Sequence, residues 1–156
     1  MSSKKFKICF AASSGGHLEQ IMMLKPIMDK YNSFVITEKT SYKTTVSEDG
    51  IYQLSQINRR QKTLIFRFIV NSIYSMYIFL KEKPDVVIST GVLSMIPICL
   101  IAKLFGKKLI YIESFAKVKS PTEIGRLLYH FADRFYVQWK SMCEIYPNAI
   151  YVGGIY

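Results

Sequence analysis

The chain has 156 residues, half of them hydrophobic and 21% charged, with 21 Lys plus Arg against 11 Asp plus Glu for a net charge of +10. That length suits one domain with a sizeable core and excludes a pair of nucleotide-binding domains, and the composition excludes a disordered chain. Cys9, Cys99 and Cys143 are odd in number, far apart and set in apolar sequence, which predicts reduced, buried thiols and neither a disulfide framework nor a metal site.

Met1-Ser2-Ser3-Lys4-Lys5 leads straight into a strand pattern from Phe6 to Ala12 with no signal-peptide apolar region, so the chain is expected on the cytosolic side of any membrane. From Leu18 to Lys30, residues Leu18, Ile21, Met22, Leu24 and Met28 recur near helical spacing. Ser33 to Thr37 is expected as a second strand, Glu38 to Gly50 as a polar loop, and Ile51 to Leu54 as a short third strand. The basic connection Asn58-Arg59-Arg60-Gln61-Lys62 enters a long helix from Thr63 to Lys83. Asp85 to Ser89 is rich in β-branched residues and reads as a strand ended by Thr90-Gly91; Val92 to Phe105 is a very apolar helix carrying Pro97. Lys108 to Ile112 (strand), Thr122 to Asp133 (helix), Phe135 to Gln138 (strand), Ser141 to Tyr146 (short helix) and Ala149 to Val152 (strand) complete the chain. This alternation predicts a single α/β domain over residues 1–156, with a Rossmann-like parallel sheet covered by helices on both faces.

In such a sheet the ligand site forms outside the carboxyl ends of the strands. The residues there are Ser13-Ser14-Gly15-Gly16-His17, then Glu38, Thr90-Gly91 and Glu113-Ser114. Adjacent glycines permit a tight turn and close ligand approach, and the N–H groups of a helix start attract anions, so the first loop is expected to hold phosphate. His17 would hydrogen-bond that ligand or move a proton. The loop lacks the Lys-Ser/Thr of a P-loop and does not spell G-x-G-x-x-G, and a plain structural turn is the competing reading. Glu38, about 20 residues further on, leaves open a stand-alone nucleotide- or dinucleotide-binding module. His130, between Tyr129 and Phe131, reads as a packed or surface histidine.

Between Arg59 and Arg126 only Glu82, Asp85, Glu113 and Glu123 oppose twelve basic residues. Such a field suits an anionic membrane surface, a phosphorylated substrate or nucleic acid. Nucleic acid is set aside, since no RNP, helix-turn-helix or zinc pattern is present. Leu64 to Leu80, broken by Arg67, Asn71, Ser72 and Ser75, is short and polar for a transmembrane span. It fits a helix lying in the membrane interface, with Arg67, Asn71 and Tyr74 on one face, and it also fits a long core helix. The expectation is peripheral attachment at the cytoplasmic face of the cell membrane.

Taken together, Ser13-Ser14-Gly15-Gly16-His17-Leu18, Thr37-Glu38-Lys39-Thr40, Asp85 to Gly91, Tyr111 to Ala116, Tyr136-Val137-Gln138-Trp139 and Gly153-Gly154-Ile155 resemble the Alg14-type family of bacterial capsule and exopolysaccharide proteins. The resemblance covers nearly the whole chain. It implies a domain equivalent to the amino-terminal half of a GT-B glycosyltransferase, acting as the membrane-associated subunit of a two-component enzyme. It further implies an Alg13-like catalytic partner that binds most of the nucleotide-sugar donor, while this chain docks a polyprenyl-diphosphate-linked sugar acceptor; little activity without the partner and no cofactor are expected. His17 and Glu113 are then the candidate catalytic residues, and Ser13, Ser14, Gly15, Gly16, Gly91 and Ser114 would bind the acceptor or its diphosphate. Gly91 would admit close ligand approach, and Glu113 would hold sugar hydroxyls or orient a neighbour. Capping the following helix or pairing with Lys117 is an equal alternative for Glu113. Val152, Gly153, Gly154, Ile155 and Tyr156 are expected to meet the partner. Eukaryotic members of the family carry a separate anchoring segment, so attachment here is expected through the apolar helices or the partner.

Overall fold

β1 (Lys7–Ala12) shows how the chain sorts its side chains: Cys9 and Ala11 enter the core on one face of the sheet, and Ile8, Phe10 and Ala12 enter it on the other. This is the two-residue period of a strand buried on both sides. The same alternation runs through β2 (Asn32–Glu38), β4 (Val86–Gly91), β5 (Lys108–Ile112) and β6 (Arg134–Val137), flanked by the short β3 (Ile51–Leu54) and β7 (Ile150–Tyr151). A computed structural model describes residues 6–39 and 50–156. Met1 to Lys5, and residues 40–49 of the expected polar loop, including Thr40, lie outside the described residues.

Among the described residues, seven strands form one parallel sheet in the order β3-β2-β1-β4-β5-β6-β7. The α/β expectation is met, with the strand order reversing between β1 and β4. One face is covered by α3 (Leu64–Glu82), α4 (Ile96–Leu104) and α5 (Glu123–Tyr129), and the other by α1 (Gly16–Met22) and α2 (Lys25–Lys30).

Several boundaries differ from expectation for identifiable reasons. The helix expected over Leu18 to Lys30 is two helices, because Pro26 sits in the first turn of α2, where its missing N–H costs nothing; a continuous helix would place it inside. Pro97 likewise opens α4 after a 3-10 turn at Leu93–Met95. β4 runs through Thr90 to Gly91 and does not stop at Ser89. α5 ends at Tyr129, leaving His130 as an exposed cap residue.

The largest departure concerns α3. Its polar residues face inward: Asn71 is 1% exposed and clamps the backbone of Ser55 on both sides, accepting from its N–H (3.1 Å) and donating to its carbonyl (2.7 Å). Ser75 is also buried. The outward face carries Ile65, Phe66, Ile69, Ile73, Tyr77 and Leu80, each more than half exposed. Asn71 therefore does not share a headgroup-facing side with Arg67 and Tyr74; it and Ser75 lie on the inward side with Ile78 and Phe79, while the solvent side of the helix is largely apolar.

Cys9 and Cys99 are buried, as the sequence pattern implied, with burial pushing Cys99 up to about 12, whereas Cys143 is only half-buried. Asp133 ties the end of the α5 connection to α4 and β5, accepting from Lys103 (2.7 Å), Lys108 (3.2 Å) and the Leu109 N–H (2.8 Å). Burial alone would raise its pKa, but these donors outweigh it and hold the carboxyl at about 2. Asp133→Asn is expected to lower the unfolding free energy at pH 7 by about 2 kcal/mol in urea titrations, the scale of hydrogen bonds to a charged group. Because the folded pKa is depressed, this contribution is present above the unfolded value of 3.8 and lost as pH falls through about 2. Equal stability of variant and parent at pH 7 would refute the role.

Candidate functional site

The reversal between β1 and β4 sends the loops after these strands apart and opens a crevice at their carboxyl ends. After β1, Ser13 is buried, Ser14 half-buried, and Gly15 takes φ 76°, a backbone conformation that favours glycine. Its carbonyl accepts from the Leu18 and Glu19 N–H groups at 2.9 and 3.0 Å, starting α1. α1 has only seven residues, so its amino end offers local N–H groups without a long aligned dipole behind them. After β4, Gly91 (φ 100°) is followed by Val92 (φ 90°), a β-branched residue held in the left-handed region. Such strain persists only where the surroundings impose it. Thr90 donates its hydroxyl to the His17 carbonyl (3.2 Å) and ties the two loops together.

Between them lies a cleft of about 390 Å³. Ser13, Ser14 and His17 form one wall, Thr90 and Val92 the back, Glu38 the end of β2, and Gln56, Ile57 and Arg59 the mouth beyond β3. Tyr111 and Thr122 close the far side. Gly15 and Gly16 are exposed beside it. His17 Nδ1 is buried and has no hydrogen-bond partner among the described residues. Burial lowers the His17 pKa, against the opposing effects of the Glu113 charge and the Thr90 backbone, so the imidazole is neutral near pH 7.

Three expected site residues lie behind this wall. Gly91 is buried, and a Cβ there would come 2.6 Å from the Tyr111 hydroxyl; the close approach it permits is to a protein side chain, which corrects the ligand-approach expectation. Glu113 is 1% exposed and fully engaged. Its carboxylate accepts from the Ser114 N–H (2.9 Å), the Thr122 hydroxyl (2.9 Å) and N–H (3.3 Å), and the Tyr146 hydroxyl (3.0 Å). Thr122 in turn caps α5 by accepting from the Gly125 N–H at 2.8 Å. The capping alternative for Glu113 is therefore what the geometry displays, by way of Thr122; it acts on the cleft as a charge near His17, and its carboxylate offers no face to a sugar hydroxyl. Ser114 is buried beside it and takes no part in the cleft wall.

Glu38 is 6% exposed and accepts from Ser94 Oγ at 2.7 Å. Burial raises its pKa, with the Ser94 and Ile57 hydrogen bonds opposing. Ser94 thus already engages one oxygen of the carboxylate that the dinucleotide alternative would give to a ribose. Gln56, Arg59, Tyr111 and Thr122 line the cleft although sequence reading placed none of them there. The only sign of Arg59 was its position in a basic connection after an edge strand.

The expected partner-facing tail folds against the same end of the sheet. Gly153 takes φ 100°, the Ile155 N–H donates to Gln138 Oε1 (3.0 Å), and the Tyr156 ring meets Phe115 edge-on at 5.1 Å. Val152 is 77% exposed. Beside the tail, Ile110, Ile112, Tyr136 and Ile27 line an apolar groove of about 340 Å³ that α1 and α2 are too short to cover.

His17 is expected to titrate in NMR spectra with a midpoint below 6.5. In Glu113→Gln the midpoint should fall further, because the variant removes the charge that raises it. A midpoint at or above 6.5 in the parent chain would contradict the burial argument.

The chain matches the family described as "Oligosaccharide biosynthesis protein Alg14 like" over residues 8–155. It is 28% identical to a UDP-N-acetylglucosamine transferase subunit ALG14 from Mus musculus, covering 97% of this chain and 84% of that protein. The protein of the same name from Rattus norvegicus is 30% identical, with coverage of 95% and 82%. Among solved structures it resembles Acinetobacter baumannii MurG (TM-score 0.70, 18% identity, 87% of this chain and 42% of that one). It also resembles the UDP-GlcNAc 2-epimerase of Methanocaldococcus jannaschii (TM-score 0.73, 16% identity, 96% and 46%). The chain thus spans less than half the length of these structures and corresponds in fold to the amino-terminal domain of the GT-B architecture. With its fold and nearly its whole length matched, the chain belongs to the Alg14-like family of oligosaccharide biosynthesis proteins.

Proposed function

We propose that this chain is the acceptor-side subunit of a two-component glycosyltransferase that extends a lipid-diphosphate-linked sugar, with the donor, a UDP-sugar, held mainly by a separate Alg13-like subunit. One observation carries the reading: His17, kept neutral near pH 7 by burial, lines a cleft at the carboxyl ends of the strands. That is the protonation state and placement a general base requires. In the transfer, the acceptor hydroxyl oxygen bonds to the anomeric carbon as its proton passes to His17. The bond from that carbon to the donor's diphosphate oxygen breaks, and UDP departs with the bonding electrons. Ser13 and Ser14 line the same wall and supply hydrogen bonds to the acceptor sugar.

The names of the animal relatives, which describe subunits of a UDP-N-acetylglucosamine transferase, support the donor class. The tail from Val152 to Tyr156 and the neighbouring apolar groove are the surface offered to the partner, and a capsule or exopolysaccharide on a lipid carrier is the product class. Attachment is peripheral, on the cytoplasmic side, where free thiols such as Cys9 and Cys99 persist. α3 is long and apolar enough to cross a membrane, yet its polar residues are packed against protein, and its outward apolar stripe beside a basic loop suits lying on a bilayer.

Co-expressed with its partner and given a lipid-diphosphate acceptor and UDP-N-acetylglucosamine, the chain should support transfer, and His17→Ala should reduce kcat by about 100-fold or more while the subunits still co-purify. Undiminished turnover in that variant would remove His17 from the chemistry. In vesicle sedimentation, Phe66→Ser/Ile69→Ser/Ile73→Ser should lose most binding to anionic bilayers without loss of melting temperature, since all three side chains are exposed. Equal sedimentation would exclude α3 as the docking surface.

A further inference from the structure

The mouth of the cleft does not end at Arg59. A second cavity of about 410 Å³ adjoins it, sharing Gln56, Ile57 and Arg59 and extending to Arg60 and Arg67. Its backbone is pinned in place: the Arg60 N–H donates to Asn58 Oδ1 (3.1 Å), and Arg67 Nη1 donates to the Gln56 carbonyl (3.1 Å). No Asp or Glu occurs between Gly50 and Glu82. Among the described residues, none of the three arginines has an ion-pair partner, whereas Lys7, Lys25, Lys103, Lys107 and Lys108 all have one. Three arginines lining one cavity with no carboxylate among its lining residues make a concentration of positive charge that a multiply charged oxyanion would relieve.

What lies on either side identifies the anion. Inward is the polar, largely uncharged wall with Ser13, Ser14 and His17. Outward, α3 begins its exposed apolar stripe at Ile65 and Phe66, both at least 70% exposed, and carries it to Leu80, roughly 20 Å along the axis at the α-helical rise. Polar pocket, arginine cluster and apolar stripe thus follow one another in the order sugar, phosphate, lipid. A nucleotide diphosphate in the annex would instead set its base and ribose against the apolar stripe.

We infer that Arg59, Arg60 and Arg67 form the subsite for the phosphate or diphosphate that joins the acceptor sugar to its lipid, with the lipid leaving along α3 into the bilayer. This rests on the acceptor-side reading above but assigns the anion to the connection after β3 and not to the Ser13-to-His17 loop. That loop is left to the sugar and the reacting hydroxyl. The short α1 offers little long-range dipole to an anion, which agrees with the division.

The test measures binding of farnesyl diphosphate to the chain in complex with its partner. Inorganic pyrophosphate, UDP and phosphatidylglycerol vesicles serve as competitors. Farnesyl diphosphate should bind, pyrophosphate should compete, and affinity should fall as salt rises. Arg59→Gln/Arg60→Gln should weaken binding by about tenfold or more, Arg59→Lys/Arg60→Lys by less, and UDP affinity should not change. Both side chains are exposed, so the double variant should keep the parent's melting temperature, and Arg67→Lys provides an independent third probe. Three results overturn the inference: variant binding within twofold of the parent, a UDP affinity that falls with the same substitutions, or displacement by vesicles alone and not by pyrophosphate. If binding and sugar transfer both survive in the double variant, only this subsite falls. If the parent complex neither binds a lipid diphosphate nor transfers sugar, the acceptor reading falls with it.

Discussion

The cleft rests on one buried carboxylate. Glu113, at the end of β5, is removed from water almost completely, and an isolated charge in that position would cost several kcal/mol. It is tolerated because the Ser114 and Thr122 N–H groups and the Thr122 and Tyr146 hydroxyls all converge on it. That satisfaction has structural consequences. Thr122 is brought to the position from which it caps α5, Tyr146 fixes the turn before β7, and Gly125 must lack a side chain, because a Cβ there would overlap the carboxylate. The wall formed by Thr122 and Ile124 is thus placed by a residue that never reaches the cleft. The same charge acts on His17, opposing the burial that lowers its pKa.

Much of the fold was legible because burial on both faces leaves a strong mark on strands. Val86-Val87-Ile88 and Leu109-Ile110-Tyr111 have no polar residue to spare and could be little else. Helix boundaries were harder, since Pro26 and Pro97 are compatible with either an interrupted helix or a fresh start, and periodicity does not distinguish them. The site was legible only in part. Ser13, Ser14 and His17 were found because they follow β1 directly, and the strand-end rule is local in sequence. Glu113 also follows a strand, but its burial depends on Thr122 and Tyr146, nine and 33 positions away, which no pattern within β5 reveals. Arg59 escaped because its place at the cleft mouth is set by β3 pairing with β2, a long-range contact.

α3 shows most clearly how identity and orientation can disagree. Read along the sequence, Asn71 and Ser75 look like interruptions that turn an apolar helix toward water. In the fold they are the inward residues, and Asn71 replaces the missing strand partner of Ser55 by offering its amide to both backbone groups. A side-chain amide in this role satisfies the chain where β3 ends and its ladder stops. With the polar residues used internally, the remaining positions leave an apolar stripe on the surface, far longer than a soluble monomer ordinarily exposes. The basic connection at its head and Lys81 near its foot bracket that stripe with positive charge, the arrangement that favours an anionic bilayer over a protein surface.

The tail and the cleft are likewise not separate features. Gln138, at the end of β6, receives the Ile155 N–H on its oxygen while its nitrogen donates to the Glu113 carbonyl at 2.9 Å and faces Gln20 Oε1 on α1 at 3.4 Å. One buried amide therefore joins the last residues of the chain to the strand that carries Glu113 and to the helix that carries His17. An amide has two donors and an acceptor oriented by a single plane, so its contacts cannot be rotated independently. The packing of Val152 to Tyr156 is thereby tied to the backbone at the end of β5 and to Gln20 on α1. The tail and the elements that carry the cleft are thus joined by hydrogen bonds of one buried side chain and not merely by proximity in the sheet.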